Sequence, residues 1–194
     1  MKTKYTQKKT LTTLLLVCLV LVLSAAKCQK DNDPPEEEDK LPPATQTGEN
    51  TFGCKINGKI WESRLPLPHS LSGPSRLTGG PGMDGSFWVR ARRKVSGDPE
   101  EFVELLIKEN VFDEGEYLIG SPEGGGYSLN EGEGGILCRW DTKQYSESGK
   151  LVITRYDMEE GIFSGEFYFT VKIDHGDCEE IVEITEGRFD IGKK

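Results

Sequence analysis

Residues 161–174, with the sequence GIFSGEFYFTVKID, alternate between apolar and polar side chains. In an extended strand, successive side chains point to opposite faces of the sheet. One face would carry Phe163, Gly165, Phe167, Phe169, Val171 and Ile173. The other face would carry Glu166, Tyr168, Thr170 and Lys172. This period of two predicts a long β-strand with one face in a hydrophobic core and the other in solvent.

A second strand is predicted over residues 180–191, close to the end of the chain. Its apolar residues change parity: Val182 and Ile184 share one face, and Phe189 and Ile191 share the other. A glycine lies between the two sets at position 187, and a bulge there would switch the face. We expect the charged residues beside it, Arg188 and Asp190, to form an ion pair.

A hairpin is predicted over residues 51–61, TFGCKINGKIW. The pair Asn57-Gly58 is typical of a type I′ turn, because both of its central positions need a positive φ. That turn would place Cys54 opposite Trp61. The residues on the shared, inward face would be Phe52, Cys54, Ile56 and Trp61.

The rest of the chain contains more short strands and no convincing helix of ten or more residues. Alternating runs occupy residues 87–94, 101–108, 117–119, 136–140 and 150–156. Two segments, 62–85 and the glycine-rich 120–135, show no period and are interpreted as a long loop and a flexible hairpin tip. Short strands separated by turn signals predict an all-β fold, an antiparallel β-sandwich or barrel-like domain with under about a tenth helix. Its predicted extent is residues 50–194.

Residues 1–27 have the three parts of an export signal. A lysine-bearing start leads into the apolar run at residues 11–23, and small residues follow at 24–26. A helix of this length, at 1.5 Å per residue, is too short to cross a hydrocarbon core of about 30 Å. We therefore expect the segment to be removed rather than to remain as a transmembrane helix.

The segment that ends at Cys28, SAAKC, looks like a lipobox, whose cysteine is lipidated and becomes the first residue. Lys27 departs from the small residue usual at that position, and cleavage after Ala26 to give a secreted protein is the alternative. Residues 28–49 begin with a polar, acidic, proline-bearing stretch that cannot bury enough apolar surface to fold. This segment is interpreted as a lipid-anchored acidic tether.

The charge balance excludes one class of partner. Residues 1–27 hold five lysines and no acidic residue, so their removal changes the formal net charge from −9 to −14. A surface this acidic repels phosphate backbones, which argues against nucleic acid. It also disfavours adsorption to anionic lipid, so membrane association would depend on the covalent anchor.

Several short motifs, taken together, resemble those of an uncharacterised family of Bacteroidota-type surface lipoproteins. The motifs are TFGC at 51–54 with Asn57-Gly58 and Trp61, GKLVIT at 149–154, SGEF at 164–167 and GRFD at 187–190. The resemblance implies a β-rich domain anchored by lipid at the outer membrane and exposed at the cell surface. It implies no known activity.

No motif in the sequence predicts a metal or a cofactor. His69 and His175 lack partners at the spacing of a zinc site, apart from Cys178 near His175. The four carboxylates within residues 174–180 match an EF-hand poorly and are better interpreted as a solvated turn. The glycine-rich segment lacks the Lys-Ser/Thr ending of a phosphate-binding loop.

The candidate ligand-binding residues are Trp88, Arg90 and Arg92, next to the long aperiodic segment. Tryptophan and arginine are enriched at binding hot spots, and a basic cluster in an acidic chain would attract an acidic ligand. In the alternative interpretation, these arginines neutralise acidic residues of neighbouring strands, such as Glu101 and Glu104. The three tryptophans could stack on sugar rings, with structural burial as the alternative.

Three cysteines remain if Cys28 is lipidated: Cys54, Cys138 and Cys178. Export to an oxidising compartment favours pairing, and an odd number leaves one cysteine over. A Cys54–Cys178 disulfide would tie the first and last strands together. The alternative is that all three are small buried side chains.

These observations leave two function hypotheses open. The first is a non-enzymatic cell-surface module that binds a glycan or a protein. The second is a hydrolase of an extracellular glycan polymer that uses two carboxylates, which would have to converge to roughly 5–9 Å.

Overall fold

The computed structural model describes residues 40–65, 76–108, 110–120, 124–131, 135–142 and 148–193. Residues 40–194 form one compact unit. The described residues contain eleven strands and no helix, and so none that could span a membrane. The strands are β1 (Thr51–Ile56), β2 (Lys59–Glu62), β3 (Leu77–Pro81), β4 (Phe87–Arg93), β5 (Glu100–Ile107), β6 (Gly115–Ile119), β7 (Gly125–Glu131), β8 (Gly135–Asp141), β9 (Gly149–Asp157), β10 (Ile162–His175) and β11 (Ile181–Ile191).

All strands belong to one antiparallel sheet that is not closed into a barrel. Its order is β2-β1-β11-β10-β8-β7-β5-β4-β3, and β6 and β9 branch from β10. The branch exists because β10 is long. The first half of β10 pairs with β9, and its end pairs with β8. The all-β prediction is confirmed. The alternating residues 161–174 correspond to β10, which pairs with β8, β9 and β11.

The sheet folds over so that its inner faces share one core, which makes the domain sandwich-like. The ring centroid of Phe87 on β4 lies 6.1 Å from the ring centroid of Phe163 on β10 and 6.1 Å from that of Phe189 on β11. Phe52 on β1 contacts Phe167 at 5.2 Å. Strands distant in the sheet order therefore meet through aromatic side chains, each offering a large apolar area to bury.

The predicted hairpin is confirmed. Asn57 and Gly58 have φ of 48° and 77°, and Cys54 lies opposite Trp61. The bulge is also confirmed, and its position is refined. The residue with positive φ is Glu186, at 50°, whereas Gly187 lies opposite Phe167. A Cβ atom at Gly187 would overlap the Phe167 ring, so glycine is required there for packing.

Two segments without a period contain strands that the prediction missed. β3 lies within the predicted loop 62–85, of which residues 66–75 are outside the described residues. β7 lies within the glycine-rich segment 120–135. Glycines replace the inward side chains in both strands, which hides the alternation. A Cβ at Gly125 would lie 2.6 Å from the Phe169 ring, and one at Gly79 would lie 2.9 Å from Ile191.

The predicted Cys54–Cys178 disulfide is wrong. The bond joins Cys138 on β8 to Cys178 in the turn before β11, with Cα atoms 6.3 Å apart. Cys54 is a free thiol inside the core, where its inward position opposite Trp61 keeps it away from that turn. Burial raises the pKa of the Cys54 thiol, with a further contribution from Glu101.

The compact unit begins at Lys40, ten residues earlier than the predicted boundary at residue 50. A strap of residues 45–49 binds the carboxylate of Asp190 on β11. The Thr45 hydroxyl and the Gly48 N–H donate to this carboxylate at 2.7 and 2.9 Å. The expected Arg188–Asp190 ion pair is wrong, because Arg188 donates to backbone carbonyls instead.

Candidate functional site

The predicted ligand-binding residues lie on the outer face of β4. Trp88, Arg90 and Arg92 alternate with the buried Phe87, Val89 and Ala91. The Trp88 side chain is 39% exposed, whereas Trp61 and Trp140 are buried in the core. Among the three tryptophans, Trp88 alone offers a surface to a ligand.

The arginines on and beside this face are paired with carboxylates of β5. Arg90 bonds Glu104 at 2.9 Å, Arg92 pairs with Glu100, and the closest atoms of Arg93 and Glu101 are 3.9 Å apart. The Arg90 guanidinium also lies 4.5 Å from the centroid of the Phe102 ring. The arginines neutralise neighbouring acids, as in the alternative interpretation, so this face is not an attractive site for an anion.

An open groove of about 300 Å³ lies next to this face, on β5, β7 and β8. The strand register explains it. Glu104 on β5 lies opposite Gly126 on β7, which in turn lies opposite Asp141 on β8. Because Gly126 has no side chain, the acidic side chains of Glu104 and Asp141 have only backbone between them.

The groove has a fixed polar wall. It is lined by Glu104, Leu106, Gly124, Gly125, Gly126, Tyr127, Ser128, Arg139, Trp140, Asp141 and Thr142. Arg139 donates from Nε to Asp174 at 3.0 Å, which holds its guanidinium at the rim. Thr142 is buried and accepts a hydrogen bond from the Gly125 N–H at 3.3 Å. Side chains that are already held in place lose less conformational entropy when a ligand binds.

Leu106 connects the groove to Trp88. The two residues are direct cross-strand partners on the outer face, and both are partly exposed, at 36% and 39%. Cross-strand partners have Cβ atoms about 4.5–5.5 Å apart. Leu106 therefore lines one side of the groove, and Trp88 extends this apolar surface beyond the lining residues.

Sequence reasoning found Trp88 but missed the groove beside it. Glu104, Gly126 and Asp141 are far apart in the sequence, and only the pairing of three strands brings them together. The available signal was Tyr127 and Leu129, two apolar residues separated by one polar residue within the glycine-rich segment.

Three of the four carboxylates of the predicted acidic turn bind protein groups. Lys172 pairs with Glu180 at 3.1 Å, Arg139 pairs with Asp174, and the Asn57 amide donates to Glu179 at 2.8 Å. Within the described part of the chain, no group of three or more His, Cys, Asp or Glu residues could hold a metal ion. Cys28, the predicted lipid-attachment residue, and His69 lie outside the described residues.

Comparison with known proteins found no match among protein-family models, curated proteins or solved structures.

Proposed function

We propose that this protein is a lipid-anchored surface protein that binds a neutral glycan in the groove between Trp88 and Arg139. The observation that carries the proposal is the groove itself, a glycine floor with Leu106 and its exposed cross-strand partner Trp88 on one side and fixed polar groups on the other. This arrangement suits a ligand with an apolar face and many hydroxyl groups. A sugar ring is such a ligand.

The chemistry of the groove favours a saccharide over a charged ligand. The indole of Trp88 offers an apolar face for a pyranose ring. The Glu104 and Asp141 carboxylates can accept hydrogen bonds from the hydroxyl groups of a sugar. The guanidinium of Arg139 can donate to the oxygen atoms of the same hydroxyl groups. Because Arg90 and Arg139 already pair with Glu104 and Asp174, the site has little net charge to offer an anion.

The location is part of the proposal and follows from the sequence. A removable export signal followed by Cys28 and an acidic tether supports lipid attachment at that cysteine and exposure at the outer membrane. A surface position would bring the groove into contact with extracellular glycans. Mass spectrometry of the mature N-terminus tests this part, because an unmodified chain that starts at Lys27 would contradict it.

Two variants of the groove test the glycan proposal. The purified full chain in mild detergent is screened on an array of neutral oligosaccharides. Trp88→Ala removes the rim, and Gly126→Val fills the floor. A Cβ at Gly126 meets only the Trp140 carbonyl oxygen, at 3.4 Å, so the floor has room for the first carbon of the valine side chain, and the melting temperature checks the fold of the variant. We expect each variant to weaken binding at least tenfold.

The matched control is Leu118→Ala, which removes an exposed side chain from β6, outside the groove. It should bind like the parent chain. The proposal is wrong if Gly126→Val melts at the parent temperature and still binds glycans normally, or if the parent binds none of the arrayed glycans.

Hydrolysis is the second candidate, favoured by the placement of Glu104 and Asp141 on either side of Gly126. Adjacent strands are about 4.8 Å apart, so residues two strands apart are separated by roughly 9.6 Å at their backbones. Glu104 would have to turn from its ion pair with Arg90 on β4 to come within the range of about 6.5–9.5 Å from Asp141 that inverting glycosidases use. Release of reducing ends from a bound polysaccharide, lost in Glu104→Gln, would identify this activity.

A further inference from the structure

A second groove, of about 320 Å³, lies on the outer face of β9, β10 and β11. Its lining residues are Lys150, Val152, Glu166, Phe167, Tyr168, Glu186, Gly187 and Arg188. Nothing in the groove between Trp88 and Arg139 requires this one, and the two share no residue.

The bulge in β11 creates this second groove. Gly187 lies opposite Phe167, but the next partners are Ile184 and Phe169, so β11 has one more residue than β10 at this point. Thr185 and Glu186 therefore both lie opposite Tyr168. Since the Phe167 ring is buried in the core and Gly187 has no side chain, the floor between them is backbone.

A donor and an acceptor face each other across this floor. Glu166 and Arg188 are direct cross-strand partners, yet no ion pair of the described residues includes either one. The guanidinium of Arg188 donates to the carbonyl oxygens of Glu186 at 3.3 Å and Pro42 at 3.5 Å. These carbonyls hold Arg188 in place without neutralising its charge.

The sides of the second groove are an exposed aromatic ring and two charged side chains that are each held in an ion pair. The Tyr168 side chain is 53% exposed. Lys150 pairs with Glu116 at 2.9 Å, and Glu186 pairs with Lys55 at 2.6 Å. The polar groups left for a ligand are therefore the Glu166 carboxylate and the remaining donors of Arg188.

We infer that this second groove binds another saccharide unit, with the sugar ring against Tyr168 and its hydroxyls donating to Glu166 and accepting from Arg188. This inference rests on the proposed glycan-binding function and makes the protein bivalent. A neutral polysaccharide could then occupy both grooves, and two linked sites bind a polymer far more tightly than either site binds a fragment.

The experiment measures how many sites each chain has. The full chain in detergent is titrated calorimetrically with hexasaccharides of xylan, mannan, β-glucan and starch, and its retention in gels containing the parent polysaccharides is measured. We expect two sites per chain in the parent, one in Tyr168→Ala and one in Gly126→Val. Retention in the polysaccharide gel should fall at least tenfold in each variant.

Two further variants keep the test specific. Glu166→Gln preserves the volume of the side chain and removes its charge, and it should weaken only the second site. Met158→Ala, at an exposed position outside both grooves, should behave like the parent.

Each outcome decides between the two proposals. One site in the parent, lost in Gly126→Val and unaffected by Tyr168→Ala, overturns the second site and leaves the first. One site that depends on Tyr168 and Glu166 alone retains the second and overturns the first. If none of the four hexasaccharides gives a heat of binding and none of the polysaccharide gels retains the protein, both proposals are overturned.

Discussion

Asp190 should be the polar residue on which the stability of this domain depends most. The residue is 1% exposed, and its carboxylate accepts hydrogen bonds from the strap, residues 45–49, and from Ser164. The donors are the Thr45 hydroxyl at 2.7 Å, the Ser164 hydroxyl at 2.7 Å and the N–H groups of Thr47, Gly48 and Glu49 at 2.9–3.1 Å. Five donors thus depend on one carboxylate.

The expected magnitude follows from what Asp190→Ala leaves behind. Hydrogen bonds to a charged group contribute about 1.5–3 kcal/mol each, but those of one network do not add. The strap donors can turn toward water once released, whereas Ser164 is fully buried and would lose its partner. We expect Asp190→Ala to lower the free energy of unfolding by about 3–5 kcal/mol, as when other buried polar networks are broken. Asp190→Asn should cost less, since it keeps one acceptor oxygen.

The pH dependence provides an independent measurement. Burial by itself would raise the pKa of Asp190, but the hydrogen bonds from Thr45, Glu49, Ser164 and Gly48 outweigh it, and the pKa lies below its ordinary value. A carboxyl whose pKa is lowered on folding stabilises the protein above its unfolded pKa of about 3.9. That contribution is lost as the pH falls through the folded pKa. The stability of Asp190→Asn should therefore depend less on pH in this acid range.

Urea unfolding at pH 7 and at several acid pH values measures both effects. Hydrogen exchange of the Thr47, Gly48 and Glu49 amides reports on the strap directly, and these should exchange faster in Asp190→Ala. Glu159→Gln, at an exposed position, is the control. A loss below about 1 kcal/mol for Asp190→Ala, with unchanged exchange, would refute the reasoning.

Three further predictions concern the core. Phe167→Ala should cost about 3–5 kcal/mol in urea unfolding, because it removes a large ring that is 3% exposed, and a cost below about 1 kcal/mol would mean that this ring is not buried. Gly187→Ala should cost about 1–3 kcal/mol through overlap with that ring, and the cost should shrink when Phe167→Leu is combined with it. Thiol labelling should leave Cys54 unmodified in the folded chain and modify it after unfolding without reductant, while Cys138 and Cys178 react only after reduction; labelling of Cys178 without reductant would contradict the disulfide assignment.

The parts of the fold that could be predicted are those in which side chains alternate. Residues 161–174 and the hairpin at Asn57-Gly58 were predictable because burial of one face fixes the register of a strand. β3 and β7 were not, since glycines stand where the inward side chains would be. The disulfide was not predictable either, because the partner of Cys178 depends on which strand lies beside its turn.

The Arg188–Asp190 prediction failed for a reason that applies to other buried acids. The sequence places an arginine near the aspartate, and opposite charges attract. A buried carboxylate, however, must replace the several hydrogen bonds that it made to water. Arg188 lies on the same face of β11, but its guanidinium donates to the carbonyl oxygens of Glu186 and Pro42, whereas the strap offers Asp190 three N–H groups and a hydroxyl. Hydrogen-bond capacity, rather than charge alone, selected the partners of Asp190.

The two grooves show why a binding surface on a sheet is difficult to find in a sequence. A groove on the face of a sheet forms where backbone is exposed between neighbouring residues whose side chains project from that face. In the first groove the gap is Gly126, between Glu104 and Asp141; in the second it is the backbone of β11 beside the bulge, where Gly187 and its partner Phe167 both face the core. In β7 the two effects come from neighbouring glycines, because the inward Gly125 hides the strand pattern and the outward Gly126 opens the groove. Failures of alternation within an otherwise β-rich chain are therefore the positions at which such sites should be sought.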